Sequence, residues 1–229
     1  MIEIRPSEER GPSDHGWLKS RHTFSFAGYY DPRHMGVSAL RVINDDKVIP
    51  GAGFGTHSHQ DMEIISYVKT GTIEHRDSMG NVERLPADEF QLMSAGTGVT
   101  HSEYNPSTTE PLEFLQIWIQ PNVLGIAPGY QQKRFEPRSG LQLIASPDAR
   151  DESLLLHQDA FLYQLCLVAG QFAKHTLQAG RSIFVHVVSG SIRVNGELLG
   201  EGDGARIIDV EAIEFAGEAE SEALVFDLP

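Results

Sequence analysis

Residues 54–71 read Phe-Gly-Thr-His-Ser-His-Gln-Asp-Met-Glu-Ile-Ile-Ser-Tyr-Val-Lys-Thr-Gly, and this stretch carries the strongest structural signal in the 229-residue chain. Its second half is rich in β-branched and aromatic residues and stops at Gly71, as a strand that ends in a turn does. His57 and His59 stand two positions apart before it. Because side chains alternate between the two faces of a strand, both imidazoles are predicted to point the same way.

The same pattern occurs a second time along the chain. Residues 173–190 read Ala-Lys-His-Thr-Leu-Gln-Ala-Gly-Arg-Ser-Ile-Phe-Val-His-Val-Val-Ser-Gly and align with residues 54–71 without a gap. An internal repeat of this kind predicts two structurally similar halves. Further β-rich runs lie at 38–43, 72–75, 90–93, 112–119, 161–168, 191–194 and 223–227, and a short helical turn is expected within 148–155. We predict an all-β chain that forms two small barrels.

Proline and glycine residues cluster between the two halves, from Pro121 to Pro137. Tyr130 and Phe135 give this segment apolar surface to bury, which favours a long ordered connection over a disordered linker. We therefore place an N-terminal domain at residues 1–125 and a C-terminal domain at residues 126–229.

A second pair of candidate ligands follows the first. His101 and Glu103 again stand two positions apart in an extended segment. If this segment lies beside the strand of His57 and His59, three imidazoles and one carboxylate converge. Such a set suits one divalent transition metal (iron, nickel, copper, manganese, cobalt or zinc) and leaves coordination positions open for substrate or oxygen. The alternatives are surface histidines on turns and a structural metal, although structural sites are usually rich in cysteine.

The second half keeps the framework of the first but lacks these ligands. The alignment matches three candidate positions with non-ligands: His57 with Thr176, His59 with Gln178 and Glu63 with Ser182. Residues 210–217, where a counterpart of His101 belongs, contain no histidine. His175 and His186 are separated by a spacing that fits no ligand pair, so we expect both to be structural. Only the N-terminal half is predicted to bind metal.

Composition excludes several classes of partner. The net charge of −14 and the isoelectric point near 5.0 argue against binding to nucleic acid or to an anionic membrane surface. Cys166 is the only cysteine, so no disulfide can form within the chain, and the N-terminus resembles no signal peptide. No apolar run approaches the length of a membrane span. These features predict a cytoplasmic protein.

The motifs resemble those of a known family. The run from Gly51 through His57, His59 and Glu63 to Gly71 is similar to the first motif of the cupin superfamily, and Gly96, His101 and Asn105 resemble its second motif with a stretched spacing. The stretches 16–26 (Gly-Trp-Leu-Lys-Ser-Arg-His-Thr-Phe-Ser-Phe) and 93–103 (Met-Ser-Ala-Gly-Thr-Gly-Val-Thr-His-Ser-Glu) look like pirin. The resemblance is strong over the first 125 residues or so and looser beyond them.

This resemblance implies a bicupin, with two jelly-roll-like barrels and one mononuclear metal site in the N-terminal barrel. Carried over by position, the metal ligands are His57, His59, His101 and Glu103. Glu63 is expected to lie behind them and to hold a ligand histidine by a hydrogen bond. A solvated glutamate at the end of a strand is the alternative for Glu63.

The resemblance also implies an activity. Bacterial members of the family are similar in activity to quercetin 2,3-dioxygenase, which cleaves the heterocyclic ring of a flavonol with O2 and releases carbon monoxide. Glu103 is the expected base for the substrate hydroxyl. The alternative is a non-catalytic regulatory protein that binds a protein partner in a metal- or redox-dependent way. An isomerase or hydrolase on the same fold is also open, because fold does not fix function.

A flat aromatic substrate needs an apolar slot with a few polar groups. Candidates for the lining of this slot are, in chain order, His22, Phe24, Phe26, Phe54, His75, Asn105 and Phe114. The alternative for each of the phenylalanines is a place in the core.

Overall fold

The computed structural model describes residues 1–229, and its regular structure is almost entirely β. The strands are β1 Ile2–Arg5, β2 Gly11–Asp14, β3 Leu18–His22, β4 Leu40–Val48, β5 Gly53–His59, β6 Glu63–Thr70, β7 Thr72–Asp77, β8 Val82–Pro86, β9 Glu89–Ser94, β10 Val99–Tyr104, β11 Leu112–Ile119, β12 Gly129–Arg134, β13 Gly140–Ser146, β14 Leu154–Leu155, β15 Phe161–Leu167, β16 Phe172–Thr176, β17 Ser182–Ser189, β18 Ser191–Val194, β19 Glu197–Gly200, β20 Gly204–Ile207, β21 Ala212–Gly217 and β22 Ser221–Leu228. The chain also contains two short 3-10 turns, Ser7–Glu9 and Arg150–Glu152. The all-β prediction is confirmed, and the second turn falls within the predicted 148–155. No helix in the structure combines the length and the apolar character that crossing a membrane requires.

Each half contains one large and one small sheet. In the first half the seven-stranded sheet has the order β12-β9-β6-β11-β4-β3-β2 and the four-stranded sheet the order β5-β10-β7-β8. In the second half the corresponding orders are β1-β20-β17-β22-β15-β13-β14 and β16-β21-β18-β19. The two small sheets therefore have the same order of equivalent strands.

The predicted internal repeat is confirmed by the strand boundaries. Strand β6 begins at Glu63 and β17 begins at Ser182, the two residues that the alignment matches. The next strands begin at Thr72 and Ser191, which the alignment also matches.

Two strands, one at the start of each half, pair with the large sheet of the opposite half. Strand β1 pairs with β20 in the large sheet of the second half, and β12 pairs with β9 in that of the first half. A division at residue 125 therefore assigns one strand of each large sheet to the opposite half. The boundary itself stays a prediction.

The largest apolar cluster lies between the two large sheets, which pack face to face. It includes Ile65 and Ile117 from the first half and Leu162 and Phe226 from the second, all fully buried. Alternation along each strand turns the neighbouring residues towards the inside of their own barrel. The halves are therefore joined through a shared core.

The interiors of the two barrels differ in polarity. Fifteen buried apolar residues fill the second barrel. In the first barrel, an apolar cluster that includes Val68 and Phe114 fills only one end, here called the closed end. A smaller cluster with Ile64, Met93 and Val99 lies at the other end, here called the open end. The space between them is left to polar side chains.

Candidate metal centre

Three of the predicted ligands come together because β5 and β10 are antiparallel neighbours. His57 stands opposite His101 in this pairing, and alternation brings His59 to the same face. The Nε2 atoms of His57 and His101 lie 3.0 Å apart, and the ring of His59 is 4.8 Å from that of His57 and 4.9 Å from that of His101. One ligand atom from each of the three lies within 4.8 Å of the others.

Hydrogen bonding and burial suit the three imidazoles to metal binding. The Nδ1 of His57 lies 2.8 Å from the carbonyl oxygen of Gly55 and donates to it, which leaves a lone pair on Nε2. Burial, with a smaller contribution from His57, lowers the pKa of His59 to about 4 and that of His101 to about 2. His59 and His101 are therefore unprotonated at neutral pH, as metal binding requires.

Glu103 lies inside the barrel next to His101. A bulge in the pairing with β5 falls between the two residues. The Nε2 of Gln116 donates to Glu103 Oε2 over 2.9 Å, and the hydroxyl of Ser66 donates to Oε1 over 3.3 Å. Complete burial raises the pKa of Glu103 to about 7 against the opposing effect of these two hydrogen bonds.

His75 is a second neighbour of His101 in the interior. Ligand atoms of His75, His101 and Glu103 lie within 4.8 Å of one another, and the His75 ring is 5.3 Å from that of His101. Its Nε2 donates to Asp77 Oδ2 over 3.0 Å, and Asp77 is held in turn by the backbone and side-chain amides of Asn81. The structure thus places His75 beside the candidate ligands, as expected of a pocket residue, and adds Asp77, which the sequence did not single out.

Glu63 does not contact the candidate ligands, contrary to expectation. Its Oε2 accepts from the Ser94 hydroxyl over 3.0 Å and from the His157 backbone N–H over 3.2 Å, and lies 3.3 Å from His157 Nδ1. The reason is alternation along β6, which turns Ser66 into the barrel and Glu63, with Ile65, towards the other half of the chain. The carboxylate is buried, so the solvated alternative fails as well.

Asn105 also lies away from the predicted pocket. Its side-chain N–H groups donate to the carbonyl oxygens of Glu110 and Val48, and its Oδ1 accepts from the backbone N–H of Ser107. These bonds fix the loop that leads into β11. Asn105 therefore organises backbone and does not face the histidines.

Two of the four predicted slot phenylalanines belong to the core, and a third packs against it. Phe24 is buried between the two halves, with its ring 5.2 Å from that of Phe184. Phe114 belongs to the cluster at the closed end, and Phe54 packs against that cluster. Each of these three side chains packs against other apolar side chains of the protein.

The remaining pocket candidates are connected to the open end through Trp118. The Nδ1 of His22 is 2.7 Å from Asn44 Oδ1, and the ring of His22 is 5.5 Å from that of Phe26. Phe26 in turn lies 5.3 Å from Trp118, edge to face, and Trp118 lies 5.0 Å from His59. Trp118 is not among the predicted pocket residues, although alternation over residues 112–119 places it on the same face as Gln116.

The second barrel has apolar residues where the first has polar ones. In the small sheet, Phe215 stands opposite Val194 as Glu103 stands opposite His75. In the large sheet, Val225 stands opposite Val185 as Gln116 stands opposite Ser66. Both groups of three or more candidate metal ligands lie in the first half.

The two histidines expected to be structural lie away from any such group. His175 Nε2 donates to Asp227 Oδ2 over 2.7 Å. His186 is fully buried, and neither ring nitrogen has a hydrogen-bond partner.

The chain is similar over its full length to known proteins. Residues 3–119 match the family model described as Pirin, and residues 143–228 match the model described as the quercetinase C-terminal cupin domain. A quercetin 2,3-dioxygenase of Escherichia coli is 55% identical, covering 100% of this chain and 99% of that protein. A pirin-like protein of Caulobacter vibrioides is 41% identical, covering 99% of each chain. The crystal structure of the bacterial pirin YhhW from Escherichia coli in complex with nickel(II) superposes with a TM-score of 0.98 at 55% identity, covering 100% of this chain and 99% of that one.

Proposed function

The chain belongs to the pirin family, and from this premise we propose that it is a metal-dependent dioxygenase that cleaves flavonols such as quercetin with O2 and releases carbon monoxide. The observation that carries the proposal is the cluster of His57, His59 and His101 with a buried carboxylate beside it. Full-length identity of 55% to a protein named quercetin 2,3-dioxygenase supports the substrate class.

We propose that His57, His59, His101 and Glu103 hold one divalent transition metal ion. The donors fit such an ion, because neutral imidazole nitrogens and a carboxylate oxygen are the ligands that first-row metals share. The geometry supports the fit of the histidines, since two Nε2 atoms only 3.0 Å apart face each other across the paired strands, and Glu103 groups with one of them, His101. Nickel in the related crystal structure agrees with this class of metal. Iron, copper, manganese, cobalt and zinc suit the same donors.

The metal, when bound, supplies a Lewis acid that lowers the pKa of an enol hydroxyl on the substrate. Glu103 would then accept the hydroxyl proton, because a carboxylate beside the metal lies within reach of that proton. Gln116 and Ser66 keep the carboxylate in one orientation through their hydrogen bonds. Phe26 and Trp118 provide aromatic surface beside His59 for a flat substrate.

Oxygen uptake by the metal-reconstituted protein in the presence of quercetin tests this proposal. We expect uptake by the unaltered chain and by His15→Ala, a control that removes an exposed histidine. We expect none from the double variant His57→Ala/Glu103→Ala. A protein that holds its metal and consumes no oxygen with any flavonol would refute the enzyme and favour the regulatory alternative. Undiminished uptake by the double variant would refute the proposed site.

A further inference from the structure

Trp118 carries a buried donor without a partner. Its indole Nε1 is inaccessible to solvent and makes no hydrogen bond within the protein. Buried indole N–H groups usually find an acceptor, and an orphan among them calls for a specific explanation. A bound ligand with an acceptor oxygen is one such explanation.

The surroundings of Trp118 favour this explanation. Its ring meets that of His59 at 5.0 Å and an interplanar angle of 85°, and that of Phe26 at 5.3 Å and 89°. Trp118 also packs against the apolar cluster of the open end, which contains Val99. His59 and Val99 both line a surface cavity of about 500 Å³ at this end of the barrel. The orphan donor therefore lies behind His59 and Val99, the lining residues that separate Trp118 from the cavity.

In the second barrel, the position equivalent to Trp118 is occupied by a polar residue that has hydrogen-bond partners. Asp227 stands opposite Ile183 there, as Trp118 stands opposite Ile64 in the first barrel. The carboxylate of Asp227 is satisfied within the protein by His175 and Arg181. In the second barrel, Asp227 thus has hydrogen-bond partners within the protein. In the first barrel, the N–H of Trp118 at the equivalent position has none.

We propose that Trp118 determines substrate specificity, donating its Nε1–H to an acceptor oxygen of an aromatic enol bound beside His59 while its ring and that of Phe26 form the apolar wall. This inference rests on the proposed function, because it states how the same site recognises its substrate. It concerns binding and does not require that oxygen reacts.

Nitrogen-15 NMR of the indole groups tests the inference directly. The chain has two tryptophans, so the variant Trp17→Phe assigns both signals. Trp17 serves as the control, because its ring packs on Phe54 beside the closed-end cluster. The zinc-loaded protein is titrated with quercetin without oxygen, since zinc is redox-inert. We expect the Trp118 N–H proton signal to move downfield and that of Trp17 to stay. An unmoved Trp118 signal at saturation would overturn the inference.

Equilibrium binding provides the second measurement. Trp118→Phe keeps an aromatic ring and removes the donor, so the Kd for quercetin should rise about tenfold, the factor expected for one hydrogen bond. Trp17→Phe should bind as the unaltered chain does. Equal affinity of Trp118→Phe would overturn the inference, as would an unaltered chain that binds no quercetin.

These results separate the inference from the proposed function. A chain that binds quercetin through Trp118 yet consumes no oxygen would support the inference and defeat the dioxygenase. A chain that consumes oxygen while Trp118→Phe binds quercetin normally would do the reverse.

Discussion

The Nε2 atoms of His57 and His101 face each other at 3.0 Å across the antiparallel pair β5 and β10. Two nitrogens at this distance require a proton or a cation between them. Because the Nδ1 of His57 already donates to Gly55, its Nε2 presents a lone pair. Burial keeps His101 uncharged, so the shared partner is either its own Nε2–H, donated to His57, or a metal ion that replaces that proton.

Removal of one of these imidazoles should abolish stabilisation by metal. A metal present at a thousand times its Kd stabilises the folded chain by about 4 kcal/mol. For a chain of this size that raises the melting temperature by on the order of 10 °C. We expect His101→Ala to lose this shift and His15→Ala to keep it, as measured by thermal unfolding with nickel and with a chelator. A full shift in His101→Ala would place the metal elsewhere.

Glu103 should weaken the metal-free fold at high pH. Burial raises its pKa from 4.5 to about 7, so the folded chain holds the proton more tightly than the unfolded chain. Its contribution to stability is complete below pH 4.5 and is lost as the pH rises through about 7. Glu103→Gln should therefore stabilise the metal-free chain at pH 8 by roughly 1 to 3 kcal/mol, with little gain at pH 4. Urea unfolding at both pH values measures the difference, and equal gains at the two would contradict the assignment.

The contact between Glu63 and His157 should contribute to stability without affecting the metal. His157→Ala removes an imidazole that lies against a buried carboxylate, at an expected cost of about 1 to 3 kcal/mol in the free energy of unfolding. Metal content should stay at the level of the unaltered chain, because Glu63 contacts none of the proposed ligands. Loss of metal at unchanged stability would instead restore the expectation that Glu63 holds a ligand histidine.

His186 is a buried imidazole whose ring nitrogens have no partner. Replacement by leucine should raise the free energy of unfolding by about 1 to 2 kcal/mol, because an unsatisfied polar group is removed. His175→Leu is the matched comparison and should lower it, since Asp227 would lose a partner. An increase for both variants would show that hydrogen bonding is not the cause.

His186 should also make the stability of the chain depend on pH. Burial depresses the pKa of His186 well below 6.5, so the unfolded chain binds the proton more readily than the folded one. Its contribution is present above pH 6.5 and is lost as the pH falls. Stability measured from pH 7 to pH 5 should therefore fall less steeply in His186→Leu than in the unaltered chain. Parallel curves would contradict this account.

Sequence patterns predicted the fold and the cluster well because both depend on local alternation. His57 and His59 share one face of β5 because they are two residues apart, and the pairing of β5 with β10 places His101 opposite His57. The repeat aligned Glu63 with Ser182, and these are the residues at which β6 and β17 begin. The family models over residues 3–119 and 143–228 confirm the expected bicupin.

The parts that sequence failed to predict depend on which face of a strand meets which partner. Glu63 follows the family motif, yet its side of β6 packs against the other half, where His157 satisfies it. Phe24 is an aromatic residue of the kind that lines pockets, but it packs in the core between the halves. The exchange of β1 and β12 left no local signal, because pairing across the halves is set by the packing of the two large sheets.

Carbon monoxide release tests the central claim most directly. The metal-reconstituted chain is supplied with quercetin and O2, and carbon monoxide and oxygen are measured in the same vessel. We predict equal amounts of oxygen consumed and carbon monoxide released, with both lost in His57→Ala/Glu103→Ala. Oxygen consumption without carbon monoxide, or carbon monoxide release that survives in the double variant, would contradict the account.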